Sequence, residues 1–337
     1  MSDGLSKRHA EIDRLIEKVH PYLSDAETFD VLINAPRGAD RDCWVWVDSA
    51  AGLIDTGIRM STVEVENLMR SIASELGRWI DDENPILMGE LPWNGARVTA
   101  IWRTLSRSGP TLAIRKRSSR LITLAEYLAS GALSRGHYDV IEFGIEEDWN
   151  IMVAGPNASG KTTLLQAVEL RAKEMRPERR LYVIEDVEEL RVEALPDNVV
   201  RVQPDLKLGV TDGDLVRTAL RMRPDGIIVA ELLRPDACYQ FFNALNTGCA
   251  AGSATTIHAK SAAHALVRCE QFIEQVPGIT PSPSWIAEAI ELIIYVVRTK
   301  TGRLVTEIVR PTGASARGRY DIEPLTNRPI SQQRKIA

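Results

Sequence analysis

The chain has 337 residues, of which 44% are hydrophobic and 26% are charged, and its formal net charge at pH 7 is −5. This length favours two domains over one, and the composition excludes a disordered or fibrous protein. The acidic balance argues against a protein that coats nucleic acid through a basic surface, although a local basic patch is compatible with it.

Residues 1–116 are predicted to form a smaller α+β N-terminal domain. The segment KRHAEIDRLIEKVHPYL has apolar residues at helical spacing and predicts a helix that ends at Pro21. CWVWVD predicts a strand with Trp44 and Trp46 on one face, and TVEVENLMRSIASELGRWI predicts an amphipathic helix capped by Thr62. ARVTAIW and PTLAIRK alternate apolar and polar residues, as half-buried strands do.

The composition changes after Lys116. The basic stretch RKRSSR, the short helical segment TLAEYLASGAL and Gly136 predict an inter-domain linker over residues 117–138. Residues 139–337 then alternate helical segments with the apolar runs NIMVAG, RLYVIED, GIIVAE and GSATTIHA. Such runs predict an α/β domain with a mainly parallel sheet that is covered on both faces. Near the end, ELIIYVVRTKTGRLVTEIVRP predicts a hairpin that turns at residues 301–302.

The sequence indicates neither a signal peptide nor a membrane span. The N-terminal stretch MSDGLSKRHAEIDRLIEK is polar and charged, whereas a signal peptide needs an apolar centre. The apolar stretch IAEAIELIIYVV contains Glu288 and Glu291 and is too short to cross a bilayer. We therefore expect a cytoplasmic protein with reduced thiols, because the cysteines are scattered without the spacing of a zinc site. These cysteines are Cys43, Cys238, Cys249 and Cys269.

A glycine-rich loop begins the second domain. GPNASGKT, residues 155–162, matches the phosphate-loop pattern G-x-x-x-x-G-K-[ST], between an apolar strand and a helix as the pattern requires. Backbone N–H groups and Lys161 would bind phosphates, and Thr162 would bind Mg²⁺; a structural turn with the same letters is the alternative. The residues predicted to bind the nucleotide are Gly155, Pro156, Asn157, Ala158, Ser159, Gly160, Lys161, Thr162 and Thr163.

Two groups of acidic residues follow apolar strands of this domain. YVIEDVEEL contains Glu185, Asp186, Glu188 and Glu189, and GIIVAEL contains Glu231. Open parallel sheets bind ligands at the carboxyl ends of their strands, and phosphoryl transfer needs acids that hold the metal and orient the attacking water. The first group could instead be a solvated acidic loop. Glu231 has the stronger case, because five apolar residues lead to it.

Three arginines and one histidine have two interpretations each. Arg217 and Arg221 are one helical turn apart and Arg223 follows them, which is typical of a salt-bridged helix face but also allows contact with a phosphate or an adjacent subunit. His258 follows a hydroxyl-rich apolar strand and could be a core histidine or a γ-phosphate sensor.

These motifs, in this order, resemble the secretion ATPases of type II and type IV secretion and of type IV pili, above all the conjugal-transfer TrbB-like branch. GPNASGKTT is similar to the family's phosphate loop, IEDVEEL to its aspartate box, LRMRPDGIIVAE to its Walker B segment and NTGCAAGSATTIHA to its histidine box. ARVTAIW and GPTLAIRK are similar to its pre-ATPase domain. The resemblance spans roughly residues 30–300.

The resemblance implies a RecA-like P-loop ATPase domain behind the smaller domain, a homohexameric ring and nucleotide between the domains. Glu231 would take the Walker B position and hold Mg²⁺ through water together with Thr162. Glu185 and Glu189 would supply the aspartate-box carboxylates, with Glu189 favoured for polarising the water. The implied catalytic residues are Lys161, Glu185, Glu189, Glu231 and His258, and Arg115 and Arg223 would add nucleotide contacts.

The sequence departs from the family pattern near the Walker B and histidine boxes. Ala230 stands where a glycine is usual, Leu233 stands where an arginine is usual with Arg234 one position later, and Cys249 lies near the place of the first histidine. These changes bear on coupling between subunits more than on nucleotide binding, because the phosphate loop is intact.

The resemblance implies an ATPase that powers a type IV secretion, conjugal transfer or related pilus assembly machine through motion of a hexameric ring. A nucleotide-dependent scaffold or switch with weak hydrolysis is the alternative, and a small-molecule kinase is less well supported. The implied partners are other copies of the chain and components of inner-membrane machinery, without sequence-specific nucleic acid binding. The basic cluster Arg115, Lys116, Arg117 and Arg120 is a solvated linker or a peripheral contact with an anionic membrane.

Overall fold

The computed structural model describes residues 17–25, 27–36, 41–49, 52–91, 95–116, 121–206, 208–248, 250–299, 302–314 and 320–327. The chain divides into two compact units, and the boundary lies between Arg120 and Leu121. Within the described ranges, no helix combines the length and the apolar character that crossing a bilayer requires.

The N-terminal unit is built on a six-stranded antiparallel sheet, whose strand order is β3-β2-β1-β6-β5-β4. Alternate residues of the strands, such as Val45 and Val47, share one core with Leu68 and Met69 of helix α2. Trp44 and Trp46 lie half-buried on the other face of β2, as predicted. The described elements are α1 (His20–Ser24), β1 (Thr28–Asn34), β2 (Asp42–Ser49), β3 (Gly52–Ser61), α2 (Thr62–Glu75), β4 (Ile86–Glu90), β5 (Arg97–Ile101) and β6 (Thr111–Arg115).

Two helix boundaries in this unit differ from the prediction. Pro21 lies in the first turn of α1 and so begins a helix instead of ending one, because its fixed φ and missing N–H suit that position. The part of the predicted helix before residue 17 lies outside the described residues. The cap of α2 is Ser61, not Thr62: the Glu64 N–H donates to Ser61 Oγ at 3.2 Å, and the Ser61 N–H donates to Glu64 Oε2 at 2.7 Å.

This reciprocal cap gives a measurable contribution to stability. We expect Ser61→Ala to lower the free energy of unfolding of the N-terminal unit by about 1 kcal/mol, because the Glu64 N–H loses its acceptor. Ser61→Thr keeps a hydroxyl and should retain most of the stability. Urea unfolding followed by tryptophan fluorescence measures both variants, and equal losses in the two would contradict a capping role.

The second unit is an α/β layer structure with an eight-stranded mixed sheet, whose strand order is β14-β13-β12-β7-β11-β10-β8-β9. The strands from β12 to β9 run parallel, and β13 and β14 add an antiparallel edge. The described elements are α3 (Leu124–Ala129), α4 (Arg135–Glu146), β7 (Ile151–Gly155), α5 (Lys161–Met175), β8 (Leu181–Ile184), a 3₁₀ turn (Val192–Ala194), β9 (Val199–Val202), α6 (Asp212–Ala219), β10 (Gly226–Val229), α7 (Pro235–Asn246), β11 (Ala254–His258), α8 (Ala262–Ile273), α9 (Pro283–Ala289), β12 (Leu292–Thr299), β13 (Gly302–Ala314) and β14 (Tyr320–Pro324).

Both faces of this sheet are buried, which confirms the mainly parallel, doubly covered sheet expected from the apolar runs. Met152 and Ala154 of β7 belong to the core beneath α6 to α9, whereas Ile151 and Val153 belong to the core beneath α3 to α5. The predicted hairpin is present as the antiparallel pair β12 and β13. Thr301 of its expected turn lies outside the described residues.

The residues assigned to the linker divide between the two sides of the boundary. Residues 117–120 lie outside the described residues, whereas 121–138 belong to the second unit and contain α3 and the start of α4. Leu124, Tyr127 and Leu133 are buried in the same core as α5. The unit therefore begins earlier than the expected start at 139, because the short amphipathic helix packs on the core.

Candidate functional site

The carboxyl ends of the parallel strands meet at one edge of the sheet. Gly155, the last residue of β7, pairs with His258, the last residue of β11, and Val229 of β10 pairs with Ile184 of β8. The segments that follow these strands carry the phosphate loop and the acidic residues. The structure therefore brings the predicted loop, Glu231 and His258 to the same edge, where open parallel sheets bind ligands.

The phosphate loop (residues 155–162) needs its glycines for two different reasons. Gly160 has φ +92° at the start of α5, a conformation that side chains with a Cβ rarely adopt. A Cβ on Gly160 would also overlap the Arg303 side chain, and one on Gly155 would overlap the Val296 carbonyl oxygen. Ala158 adopts φ +56° without being a glycine. These constraints give the loop one tight backbone path between strand and helix.

The loop has the donors that a phosphate group needs. Among the described residues no side-chain hydrogen bond caps the start of α5, and the backbone N–H groups of a first helical turn point outward from the helix end. The Ser159 hydroxyl is buried and has no hydrogen-bond partner among the described residues. Thr162 and Thr163, in the first turn of α5, are half-buried. Backbone and hydroxyl donors beside a lysine fit the oxygens of a nucleoside triphosphate.

Lys161, Glu231 and His258 form one cluster beside this loop. The Lys161 side chain is buried; its Nζ lies 3.0 Å from His258 Nδ1 and 3.8 Å from Glu231 Oε1, and donates to the Pro156 carbonyl at 3.3 Å. His258 Nε2 lies 2.8 Å from the same Glu231 oxygen. A neutral imidazole with its proton on Nε2 satisfies both contacts, accepting from Lys161 and donating to Glu231. The interpretation of His258 as an enclosed core histidine is wrong, since 42% of its side chain is exposed.

The backbone on both sides of Glu231 is fixed by the neighbouring strands. The Ala230 N–H donates to the Ile184 carbonyl and the Leu232 N–H to the Thr256 carbonyl, each at 2.9 Å. The buried hydroxyls of Thr255 and Thr256 donate to the carbonyls of Val229 and Ala230 at 2.7 and 2.8 Å. These two threonines were not predicted as site residues; two hydroxyls inside an apolar strand were the signal for them.

The acidic group after β8 is tied into ion pairs. Glu185 is buried and forms an ion pair with one terminal nitrogen of Arg201, whose other terminal nitrogen binds Glu188. Arg234, which lies one position beyond the family's usual arginine, binds Asp186 at 3.2 Å and also Asp212. Burial raises the pKa of Asp212, and its hydrogen bond to Arg234 opposes that rise. Sequence patterns missed Arg201 and named Arg234 without its ion pairs, because the partners of both arginines are distant in the chain.

Two predicted nucleotide contacts are not brought to this edge within the second unit. Arg223 precedes β10, so it lies at the amino ends of the parallel strands, the edge opposite the phosphate loop. It is exposed and has φ +52°. Arg217 pairs with Asp214 on α6, as the salt-bridged interpretation predicts. Arg115 is the exposed last residue of β6 in the N-terminal unit.

Comparisons with known proteins identify the relatives of this chain. The family described as "Type II/IV secretion system protein" matches residues 94–318. A probable conjugal transfer protein TrbB of Sinorhizobium fredii is 33% identical over 301 residues, which cover 89% of this chain and 88% of that protein. The type IV secretion system protein PtlH of Bordetella pertussis is 30% identical over 335 residues, covering 90% and 95% of the two chains.

The fold is also similar to a solved structure. The X-ray structure of the Yersinia pseudotuberculosis ATPase DotB matches with a TM-score of 0.60 at 17% identity, over 87% of this chain and 77% of that one. The family match covers most of the sequence, and the relatives match along nearly its whole length. The chain therefore belongs to the type II/IV secretion system protein family.

Proposed function

We propose that this protein is an ATPase that powers a type IV secretion or conjugal transfer machine, with the second unit as its RecA-like P-loop domain. The observation that carries the proposal is the cluster of Lys161, Glu231 and His258 beside the phosphate loop. The names of the relatives, a conjugal transfer protein and a type IV secretion system protein, support the setting. The cargo is DNA, protein or pilin, and the site chemistry is common to all three.

In this proposal the protein catalyses phosphoryl transfer by positioning the phosphates and by stabilising the charge that develops on them. The loop N–H groups bind phosphate oxygens, and Lys161 exchanges its contacts with Glu231 and His258 for the β- and γ-phosphates. His258 stays bonded to Glu231 and holds that carboxylate in place. Bound Mg²⁺, held by Thr162 and through water by Glu231, would neutralise charge on the phosphates.

The assembly is a further part of the proposal. Copies of the chain form a homohexameric ring, and Arg115 of the N-terminal unit is a further nucleotide contact in this proposal. Arg223, remote from its own phosphate loop, is then available for contact with an adjacent copy. The ring would act at the cytoplasmic side of the inner membrane, in peripheral contact with the machinery that it drives.

The test uses the full chain, calorimetry and single-turnover hydrolysis. We expect ATP to bind in the presence of Mg²⁺, because the loop and its lysine are complete. We also expect hydrolysis to be slow but measurable as released phosphate. Tight binding without phosphate release would instead support a nucleotide-dependent scaffold. Transfer of the phosphate to a metabolite would support a small-molecule kinase, and absence of nucleotide binding by folded protein would overturn all three.

A further inference from the structure

The acidic loop (residues 185–190) is held from inside by the first of its own carboxylates. Glu185 is only 5% exposed. Its Oε1 accepts the N–H of Glu189 at 2.9 Å and that of Leu190 at 2.7 Å. The side chain therefore binds the far end of its own loop and fixes the turn, in the way that buried carboxylates commonly satisfy backbone donors.

Arg201 on the edge strand β9 completes this arrangement from outside the loop. One guanidinium nitrogen donates to Glu185 Oε2 at 2.8 Å and to the Leu190 carbonyl at 3.0 Å. The other terminal nitrogen donates to Glu188 Oε1 at 2.7 Å. A planar guanidinium with several fixed donors can make these contacts together, which a single ammonium group cannot do with the same geometry.

The residue that follows the acidic loop links it to the helix that follows the phosphate loop. The Arg191 N–H donates to Gln166 Oε1 at 3.2 Å, and Gln166 is a buried residue of α5. Helix α5 begins at Lys161, so the acidic loop and the phosphate-binding lysine are attached to one rigid element. A change in the loop's path would therefore alter the position of its carboxylates relative to the phosphate loop.

We propose that Arg201 is a positioning residue for ATP hydrolysis, which acts with Glu185 to hold the acidic loop in the shape that the reaction needs. This inference rests on the proposed ATPase function. Glu185 acts through the loop and not on the attacking water, because both of its oxygens are engaged by protein donors and the side chain is buried. Glu189, half-buried on the same loop, then supplies the aspartate-box carboxylate nearer to solvent.

The first experiment separates catalysis from nucleotide binding. In Arg201→Met we expect kcat for ATP hydrolysis to fall about tenfold or more, because a displaced group can cost up to about a hundredfold. The ATP dissociation constant should stay within about twofold, because the phosphate loop is unchanged. Arg201→Lys should give an intermediate kcat, since it keeps the charge beside Glu185 but not the forked contacts.

A second measurement reports on the loop without relying on turnover. Hydrogen exchange at the amides of Glu189 and Leu190 should accelerate at least about tenfold in Arg201→Met, because their acceptor Glu185 loses its own support. Arg171→Met is the matched control. Arg171 also pairs with two glutamates, Glu142 and Glu174, but lies outside the acidic loop. Its removal should leave kcat and both amides unchanged.

A double-mutant cycle decides how Glu185 works. Glu185 and Arg201 act as one clamp if each needs the other to hold the acidic loop. In that case kcat of the double variant, Glu185→Gln with Arg201→Met, is little lower than kcat of either single variant. Effects that multiply would overturn the inference, because Glu185 would then contribute independently of the clamp. Unchanged kcat in Arg201→Met with active wild-type protein would also overturn it, while leaving the ATPase proposal standing. Absence of hydrolysis by wild-type protein would overturn both.

Discussion

Replacing Lys161 with alanine should lower kcat/KM for ATP hydrolysis by at least about a hundredfold, because the variant loses the cation that stabilises charge on the transferring phosphoryl group. Lys161 is buried at the start of α5, beside the backbone path that Gly160 defines. Its removal also leaves Glu231 without the nearby ammonium, so that carboxylate would face the phosphates with less compensation. Phosphate release measured over a range of ATP concentrations gives the ratio.

A matched control separates this loss from a general effect on the helix. Lys173 lies in the last turn of the same helix, where its Nζ donates to the Glu193 carbonyl at 3.2 Å. Lys173→Ala should hydrolyse ATP at the wild-type rate. Thermal unfolding of both variants shows whether Lys161→Ala remains folded. Undiminished turnover in folded Lys161→Ala would remove the phosphate loop from the proposed chemistry.

Local patterns predicted the phosphate loop and the layered sheet well, for a physical reason. Residues 150–175 contain the whole strand, loop and helix, so short-range spacing determines their arrangement. Apolar runs likewise predicted the parallel strands because both faces of the sheet are covered. The position of Glu231 followed from the same rule, since the strand that precedes it ends at the edge where ligands bind.

Long-range pairing could not be predicted in the same way. Lys161 and His258 are 97 positions apart, and their 3.0 Å contact depends on the order of β7 and β11 in the sheet. Arg201 meets Glu185 from a neighbouring strand, and no spacing in one sequence reveals that pair. Family resemblance suggested a role for Glu185 but not its burial. The register of parallel strands, which brings distant residues together, supplied the missing information.

The position of Arg223 was also beyond what spacing along the sequence could predict. Arg223 lies just before an apolar strand and is near Glu231 in sequence, yet the strand carries the two residues to opposite edges of the sheet. Gly226–Val229 separates Arg223 from Glu231. Proximity in sequence predicts proximity in space along a helical turn, but it predicts separation along an extended strand.

A buried glutamate on the phosphate-loop helix should make the stability of the second unit depend on pH. Glu169 lies on α5, only 3% exposed, beside a small cavity that is also lined by Arg176 and Arg179. Burial raises the pKa of Glu169 to about 7, although the charges of Arg179 and Arg176 oppose the rise. The folded protein therefore favours the neutral carboxylic acid more than the unfolded chain does.

The sign of the effect follows from the two protonation states. Below pH 4.5, the ordinary pKa of glutamate, the group is protonated in both the folded and the unfolded chain. Its burial then does not lower the free energy of unfolding through a buried charge. As the pH rises towards 7, the unfolded chain loses its proton first, so the folded state loses stability. Above pH 7 the full cost of the buried charge is present. The stability of the wild-type unit should thus fall between about pH 4.5 and pH 7.

Glu169→Gln should remove this pH dependence, because glutamine has nearly the shape of the neutral acid and does not ionise. We expect the variant to be more stable than wild type by about 3 kcal/mol at pH 8 and equal to it near pH 4. Urea unfolding at several pH values measures the difference. Glu174→Gln is the control on the same helix, since Glu174 is 52% exposed in its ion pair with Arg171.

Parallel stability curves for wild type and Glu169→Gln would show that the carboxyl group ionises as readily in the folded chain as in the unfolded one. The cavity would then have to hydrate the charge, or Arg179 would have to move towards it from its 2.8 Å bond with the Gly252 carbonyl. A variant less stable than wild type at pH 8 would favour that movement, because glutamine would lose an ion pair. A gain in stability confined to high pH would instead show that Glu169, on the helix that carries Lys161, is favoured as the neutral acid in the protein core.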